Sequence, residues 1–460
     1  MKVLLINPPV KCSPGLNLGT QNRAQSFHIG LLYMAAVLEA NGHTVEVLDC
    51  GAAQLDWEEL RLAIRRAGPD LVGITSTTPS FLNAVRTSKL VKEISPEIPV
   101  ILGGYHPTFF FQEILERVPS VDMVSRGESE FTLMELANGH PREKILGLSY
   151  RTSSGSLKYN PDREFISDLD VLPFPSRHLV DQYQYGSMGG IFQMAHPRRY
   201  TSLFTSRGCP YACRYCCVSA YSKRTFRTRS VENIEREVIH LVKEGIDSIY
   251  IQDDNFAINP RVPMICEMLK RYRLKWFCLA RVDMNPEYFR MMAEAGCRGI
   301  YFGVESCSQR VLDYYRKKTT VEQVKNSITR AKEAGLEVLV TLMVGAPVET
   351  WKDIFLNKNM LTSLDIDALE LNILTFFPYT DLWEEVALEG RAWDRELLVS
   401  EVFTERSLDE ILEWCHFIKK SFYRRRRYIW RQMWRTVTQR QDLIWLNLAN
   451  LPKILSYLKD

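Results

Sequence analysis

Several features are scarce in this sequence, and each scarcity narrows what the chain can be. It has no uninterrupted apolar run long enough to span a bilayer. Met1-Lys2-Val3-Leu4-Leu5-Ile6 runs straight into Asn7-Pro8-Pro9, which reads as a strand and a loop rather than a secretory leader. The 11 cysteines show no disulfide-framework spacing, so a reducing cytoplasm is expected. A formal charge of +3 is too small to argue for a nucleic-acid partner. No Gly-x-Gly-x-x-Gly follows the first apolar run, which counts against a dinucleotide. The remainder is ordinary for a globular protein: 460 residues, 46% hydrophobic and 25% charged, are enough for two or three domains.

The most informative stretch is Thr205-Ser206-Arg207-Gly208-Cys209-Pro210-Tyr211-Ala212-Cys213-Arg214-Tyr215-Cys216-Cys217. It follows Tyr200 to Phe204, which reads as a strand, so Cys209, Cys213 and Cys216 fall on a loop beyond a strand's C-terminal end. That is where an α/β barrel keeps its chemistry. The spacing lets one short loop wrap its thiolates around a soft metal centre, and thiolates select iron–sulfur clusters, zinc or copper. A closed zinc site wants a fourth ligand, and none follows at finger-like spacing. Cys217 adjoins Cys216, and neighbours on a tight loop rarely both reach one metal, so Cys217 is expected to be a bystander.

Here the sequence resembles the radical S-adenosylmethionine (SAM) superfamily, whose signature is Cys-x-x-x-Cys-x-aromatic-Cys, with Tyr215 in the aromatic place. The resemblance implies a 4Fe-4S cluster held by the three cysteines. Its open iron chelates SAM, and one electron then releases a 5′-deoxyadenosyl radical. It also implies an external electron donor such as flavodoxin or ferredoxin, a small-molecule substrate, and an oxygen-protected compartment.

Residues 1–145 alternate short β-rich runs with helical ones, which predicts a parallel, doubly wound sheet. Such a sheet binds its ligand at the strands' C-terminal ends, where Asn7-Pro8-Pro9, Ser76-Thr77-Thr78 and Gly103-Gly104-Tyr105-His106 would lie. These positions, with the Arg126-Gly127-Glu128-Ser129-Glu130 turn, resemble the Rossmann-like cobalamin-binding domain of one large radical SAM subfamily. The resemblance places the corrinoid's nucleotide tail near the Ser/Thr run and the Gly-Gly pair. The loop after the first strand lacks the histidine of the methionine-synthase type, so no imidazole is expected below cobalt from that site. His106 either faces the corrin or substrate or is a hydrogen-bonded loop residue, and His28 reads as structural.

Residues 146–199 read as a linker. From 200 to 381 a second alternation gives six strand-helix units, suiting a partial (β/α)6 barrel. By resemblance its strand ends carry the SAM contacts. Asp253 and Asp254 stand where the family has Gly-Gly-Glu for the SAM amino group, and Glu305 where it binds ribose. Lys317 is placed for the SAM carboxylate and Gly345-Ala346-Pro347 under adenine, while Arg281 neutralises the cluster or a carboxylate. Residues 382–460 read as a helical segment, with no acidic residue between Glu413 and Asp442. Two readings stand for it: a peripheral membrane contact, or a basic helix packed on the barrel.

Over almost the whole chain the layout resembles the group containing the anaerobic magnesium-protoporphyrin IX monomethyl ester cyclase. The expected activity is methyl transfer from cobalamin to an unactivated carbon, with radical oxidative cyclisation or rearrangement as the alternative. A non-catalytic iron–sulfur carrier has no use for SAM-type strand ends. Nothing in the sequence selects among the family's tetrapyrrole, lipid, antibiotic and phosphonate substrates.

Overall fold

The computed structural model of the chain describes residues 1–9, 28–183, 185, 200–388 and 406–438. The N-terminal sheet contains β1 (Lys2–Asn7), β2 (Thr44–Asp49), β3 (Leu71–Thr75), β4 (Val100–Gly103), β5 (Met123–Ser125), β6 (Leu148–Arg151) and β7 (Leu157–Tyr159). Their order is β2-β1-β3-β4-β5-β6-β7, parallel through β5 and antiparallel beyond it. Helices cover both faces because both faces are apolar: Leu4 and Ile6 enter one buried cluster, Val3 and Leu5 another. The strand order reverses at β1, so the crevice between the ends of β1 and β3 is the topological switch point.

The sheet runs further than the sequence suggested. Part of the segment read as a linker is the β6–β7 hairpin, whose turn centres on Gly155 at φ +84°. Its alternation is short, and only β6 is buried, which is why the pattern reads as irregular.

The second sheet contains β8 (Tyr200–Leu203), β11 (Ser248–Ile251), β12 (Lys275–Arg281), β13 (Cys297–Glu305), β14 (Glu337–Val344) and β15 (Ala368–Ile373). A two-stranded hairpin, β9 (Ser206–Arg207) with β10 (Arg227–Thr228), stands beside it. The six strands are parallel in the order β15-β14-β13-β12-β11-β8, and β8 and β15 do not pair, so the barrel is open. Period-two alternation divides its residues. Ile249, Cys278, Ile300 and Val338 pack against the helices, whereas Tyr200, Tyr250, Phe277 and Tyr301 form a separate cluster on the opposite face. Phe277 stacks on both Tyr200 and Tyr250, at 6.0 and 4.9 Å between ring centroids, and makes an aromatic floor.

The two units share apolar packing: Val311, Tyr315, Phe376 and Trp383 of the barrel side join the cluster of Phe110 and Ile114. The helix Leu408–Tyr423 buries Ile411, Trp414, Ile418 and Phe422 against the barrel. The basic run after it divides. Arg425 donates to the carbonyls of Leu361, Leu364 and Ile366 at the end of the helix Trp351–Ser363, and Arg431 pairs with Asp365 and Asp367. Arg427, largely exposed, reaches Asp365 at 3.5 Å, and Trp430 points outward. Among the described residues, no helix is long and apolar enough to cross a membrane. Residues 389–405 and 439–460 of the expected helical segment lie outside the described residues.

Candidate functional site

The cysteine loop hangs between β9 and the helix Cys217–Tyr221, beyond the end of β8. Gly208 is required at its start: φ is +87°, and a Cβ there would lie 2.3 Å from the Thr225 carbonyl oxygen. Cys213 is buried, and Cys209 and Cys216 are half-buried. Burial pushes the Cys209 thiol up and the Cys216 thiol up to about 12, the latter raised further by Cys217 and Cys213. Thiols crowded this way ionise readily only beside a cation, which is what an iron centre supplies. Among the described residues no three Cys, His, Asp or Glu side chains converge as they would on one metal ion. A cube that takes one thiolate per iron does not demand that convergence.

Arg281, at the end of β12, brings Nη1 to 3.6 Å from Cys213 Sγ and stacks 3.8 Å over the Tyr211 ring. Its Nη2 donates to the Lys317 carbonyl at 2.6 Å, and it is also paired with Asp283 at 2.9 Å. Lys317 in turn places Nζ 2.7 Å from Glu305 Oε1, and Tyr215 Oη lies 3.2 Å from both. The cysteine loop and the Glu305–Lys317 pair therefore form one contiguous set. Glu305 sits at φ +67° on a β-bulge, a strained conformation for a residue with a side chain. Gly303 makes room for the pair, since a Cβ there would lie 2.8 Å from Glu305 Oε1. At the end of β14, Glu349 is fully buried and accepts from the amides of Gly345 at 2.7 Å and Ala346 at 3.3 Å. It holds the turn that leads to the exposed Pro347, and nothing in its spacing alone marked it.

The paired aspartates separate. Asp253 was expected beside the SAM amino group, but it is 2% exposed and its oxygens accept from the amide and hydroxyl of both Thr205 and Ser206. It serves the strand that launches the cysteine loop. Burial raises its carboxyl to about 6 despite those bonds. Asp254, half-buried, accepts from the Gly208 amide at 3.0 Å and so lies against the loop itself.

In the N-terminal unit a small cavity of about 40 Å³ opens among β1, β3, β4 and β5, with Gly73, Thr75, Gly103, Gly104, Ser125 and Ser129 on its wall. Two glycines keep it open: a Cβ on Gly73 would lie 2.9 Å from the Leu5 side chain, and one on Gly104, at φ +103°, 2.5 Å from the Ser76 carbonyl oxygen. Its lining of apolar side chains with Thr75, Ser125 and Ser129 hydroxyls among them is of the kind that would meet the nucleotide tail of a corrinoid. Thr75 takes the wall position expected of the Ser76-Thr77-Thr78 run. Thr77 and Ser80 cap each other, and Thr78 lies 3.2 Å from His106 Nδ1. His106 does not face a cofactor: it is wholly buried between Phe81 and Phe110, at 4.2 and 4.8 Å, and burial pushes it down to about 3. Asn7 turns to Asp49 at 3.1 Å, and the Pro9 carbonyl accepts from Asn83. His28 stands 3.3 Å from Thr75 Oγ1, nearer the cavity than the sequence suggested.

The two sites adjoin. Tyr105, next to Gly104, packs its ring on Tyr221 of the helix after the cysteines, 4.3 Å between centroids.

Comparison with known proteins agrees with this division. Residues 203–355 match the radical SAM superfamily model and residues 22–137 the B12 binding domain model. An uncharacterized methyltransferase of Pyrococcus horikoshii is 33% identical over 84% of this chain and 83% of its own. The anaerobic magnesium-protoporphyrin IX monomethyl ester cyclase of Rubrivivax gelatinosus is 27% identical over 79% of this chain and 67% of its own. The radical SAM methyltransferase TsrM from Kitasatospora setae, solved with tryptophan substrate and a SAM analog, superposes with a TM-score of 0.67. It is 20% identical, over 84% of this chain and 76% of that one, a likeness of fold.

Proposed function

This chain belongs to the cobalamin-binding branch of the radical SAM superfamily, and from that premise we propose that it methylates an unactivated carbon of a small-molecule substrate. It is a cobalamin-dependent radical SAM enzyme. The observation that carries the reading is the adjacency of the glycine-walled cavity and the cysteine loop through Tyr105 and Tyr221. Methyl transfer through two cofactors requires both to address one substrate carbon.

When bound, the 4Fe-4S cluster supplies the electron that cleaves SAM, and cobalamin supplies the methyl group. Cys209, Cys213 and Cys216 would hold the cluster, and Arg281 beside Cys213 offsets its negative charge. The Glu305, Lys317 and Tyr215 set orients ribose and the SAM carboxylate, because its charges are already paired and need no large rearrangement. Asp254 accepts from the amino group, and Gly345-Ala346-Pro347, steadied by Glu349, supports adenine. Gly103 and Gly104 admit the nucleotide tail. The floor of Tyr200, Tyr250 and Phe277 excludes water from below, which protects a reactive radical from quenching. The electron would come from a flavodoxin or ferredoxin.

Gly104→Ala should weaken hydroxocobalamin binding at least tenfold, the equivalent of about 1.4 kcal/mol, because its Cβ would strike the Ser76 carbonyl. Titration followed by visible absorbance reads this directly, with cluster content unchanged.

A second reading, radical oxidative cyclisation, is favoured by the likeness to the protoporphyrin ester cyclase. Product stoichiometry separates the two. Methyl transfer yields S-adenosylhomocysteine and 5′-deoxyadenosine in proportion to product, whereas cyclisation yields no S-adenosylhomocysteine.

A further inference from the structure

Two arginines that flank the cysteine loop close on one carboxylate of the other domain. Arg207 ends β9 immediately before Gly208, and Arg227 opens β10; the antiparallel register sets them directly opposite each other. Like charges so placed repel. Glu128 removes the repulsion. Arg227 binds it with both Nη atoms, at 2.8 and 3.0 Å, and Arg207 Nη1 reaches it at 3.0 Å. Arg207 Nη2 continues to Glu130 at 2.8 Å, and the Ile166 amide donates to Glu128 at 2.8 Å. The Glu128 side chain is 7% exposed, so the clasp is sheltered from screening. A buried ion pair adds little net stability, but a forked one fixes relative position closely.

On its own side, Glu128 lies between Ser125 and Ser129, which hydrogen-bond each other at 2.8 Å and line the cavity. The neighbouring Gly127 amide donates to Thr108 Oγ1 at 3.0 Å, and that hydroxyl donates to the Gly104 carbonyl at 2.7 Å. Polar contacts joined by the single peptide link from Gly127 to Glu128 therefore run from the glycine wall of the cavity to the residue before the cysteine loop. Gly208 gives that loop no room to slip, pressed against Thr225 and bonded to Asp254.

We propose that Glu128 is a positioning residue that couples the two cofactor sites: cobalamin in the cavity settles the 125–129 turn, and the clasp passes this to the cysteine loop, so that SAM binds more tightly. The inference rests on the two-cofactor reading above. Coupling of this kind is reciprocal, so SAM must tighten cobalamin by the same factor.

The test uses the full chain, reconstituted anaerobically with its cluster, and measures SAM binding by equilibrium dialysis with and without hydroxocobalamin. The wild type should bind SAM about fivefold or more tightly when cobalamin is present. In Glu128→Gln both ligands should still bind, but the factor should fall to about twofold or less, the level at which coupling is negligible. The proposal is overturned if cobalamin leaves wild-type SAM affinity unchanged, or if Glu128→Gln keeps the wild-type factor. Should that variant lose its cluster, Arg227→Lys, which keeps the charge but not the fork, reads the same coupling and should weaken it. Cluster loss in both variants would mean that the clasp serves assembly and would also overturn the proposal. A wild-type protein that binds only one of the ligands, or neither, would refute the two-cofactor reading instead.

Discussion

Replacing Cys209, Cys213 or Cys216 by alanine is expected to reduce 5′-deoxyadenosine formation to background, while Cys217→Ala leaves the cluster and SAM cleavage intact. Each of the first three would supply one iron with its only protein ligand. Removing one leaves a cube with two anchors and two open corners, which neither assembles stably nor presents a single iron to SAM. The local backbone explains why the fourth cysteine differs. Cys216 is extended, at φ −98° and ψ 114°, whereas Cys217 begins the helix Cys217–Tyr221, so their side chains diverge. Iron content, visible absorbance and the electron paramagnetic resonance of the reduced cluster check each variant. Loss of iron from Cys217→Ala alone would overturn the ligand assignment.

What could be read without coordinates follows from where the information lies in the chain. Strand ends and glycine turns are local, so β1 to β5, the six barrel strands and the positions of Gly103-Gly104 and Glu305 were legible from period and punctuation. Side-chain direction at a strand end is not local. His106 is one residue from Tyr105, yet it turns into the core because Phe81 and Phe110 offer its ring a place there, while Tyr105 turns to Tyr221. Glu128 and Glu349 were hidden for a related reason. Their partners, Arg227 and the Gly345 amide, are defined only when distant or tightly turned backbone is in place. The Gly-Glu turn was visible as a motif, but its purpose was not.

The aspartate pair gives the other large effect, and it separates a structural carboxylate from a binding one. Asp253→Ala removes the acceptor for the buried amides of Thr205 and Ser206, along with their hydroxyls. At about 1–3 kcal/mol for each amide left unsatisfied, the expected loss is roughly 2–6 kcal/mol, read by denaturant unfolding, with cluster content falling as the loop loses its support. Asp253→Asn behaves differently. Its Oδ1 still accepts from both amides, and the two hydroxyls rotate to accept from its Nδ2, so its stability near neutral pH should lie within about 1 kcal/mol of wild type. The pH dependence checks the same point. The folded carboxyl is raised from 3.8 to about 6, so the stability it contributes is fully present below the lower value and is lost as pH rises through the upper one. Asparagine does not titrate, and that downward slope between about pH 4 and pH 6 should vanish in Asp253→Asn. Affinity for SAM supplies the discriminating measurement: it should be unchanged in Asp253→Asn and weakened in Asp254→Asn, because Asp254 lies against the cysteine loop whereas the oxygens of Asp253 are taken up by Thr205 and Ser206. The opposite ranking would return Asp253 to the SAM amino group and leave the Thr205 and Ser206 bonds as a resting arrangement that SAM displaces.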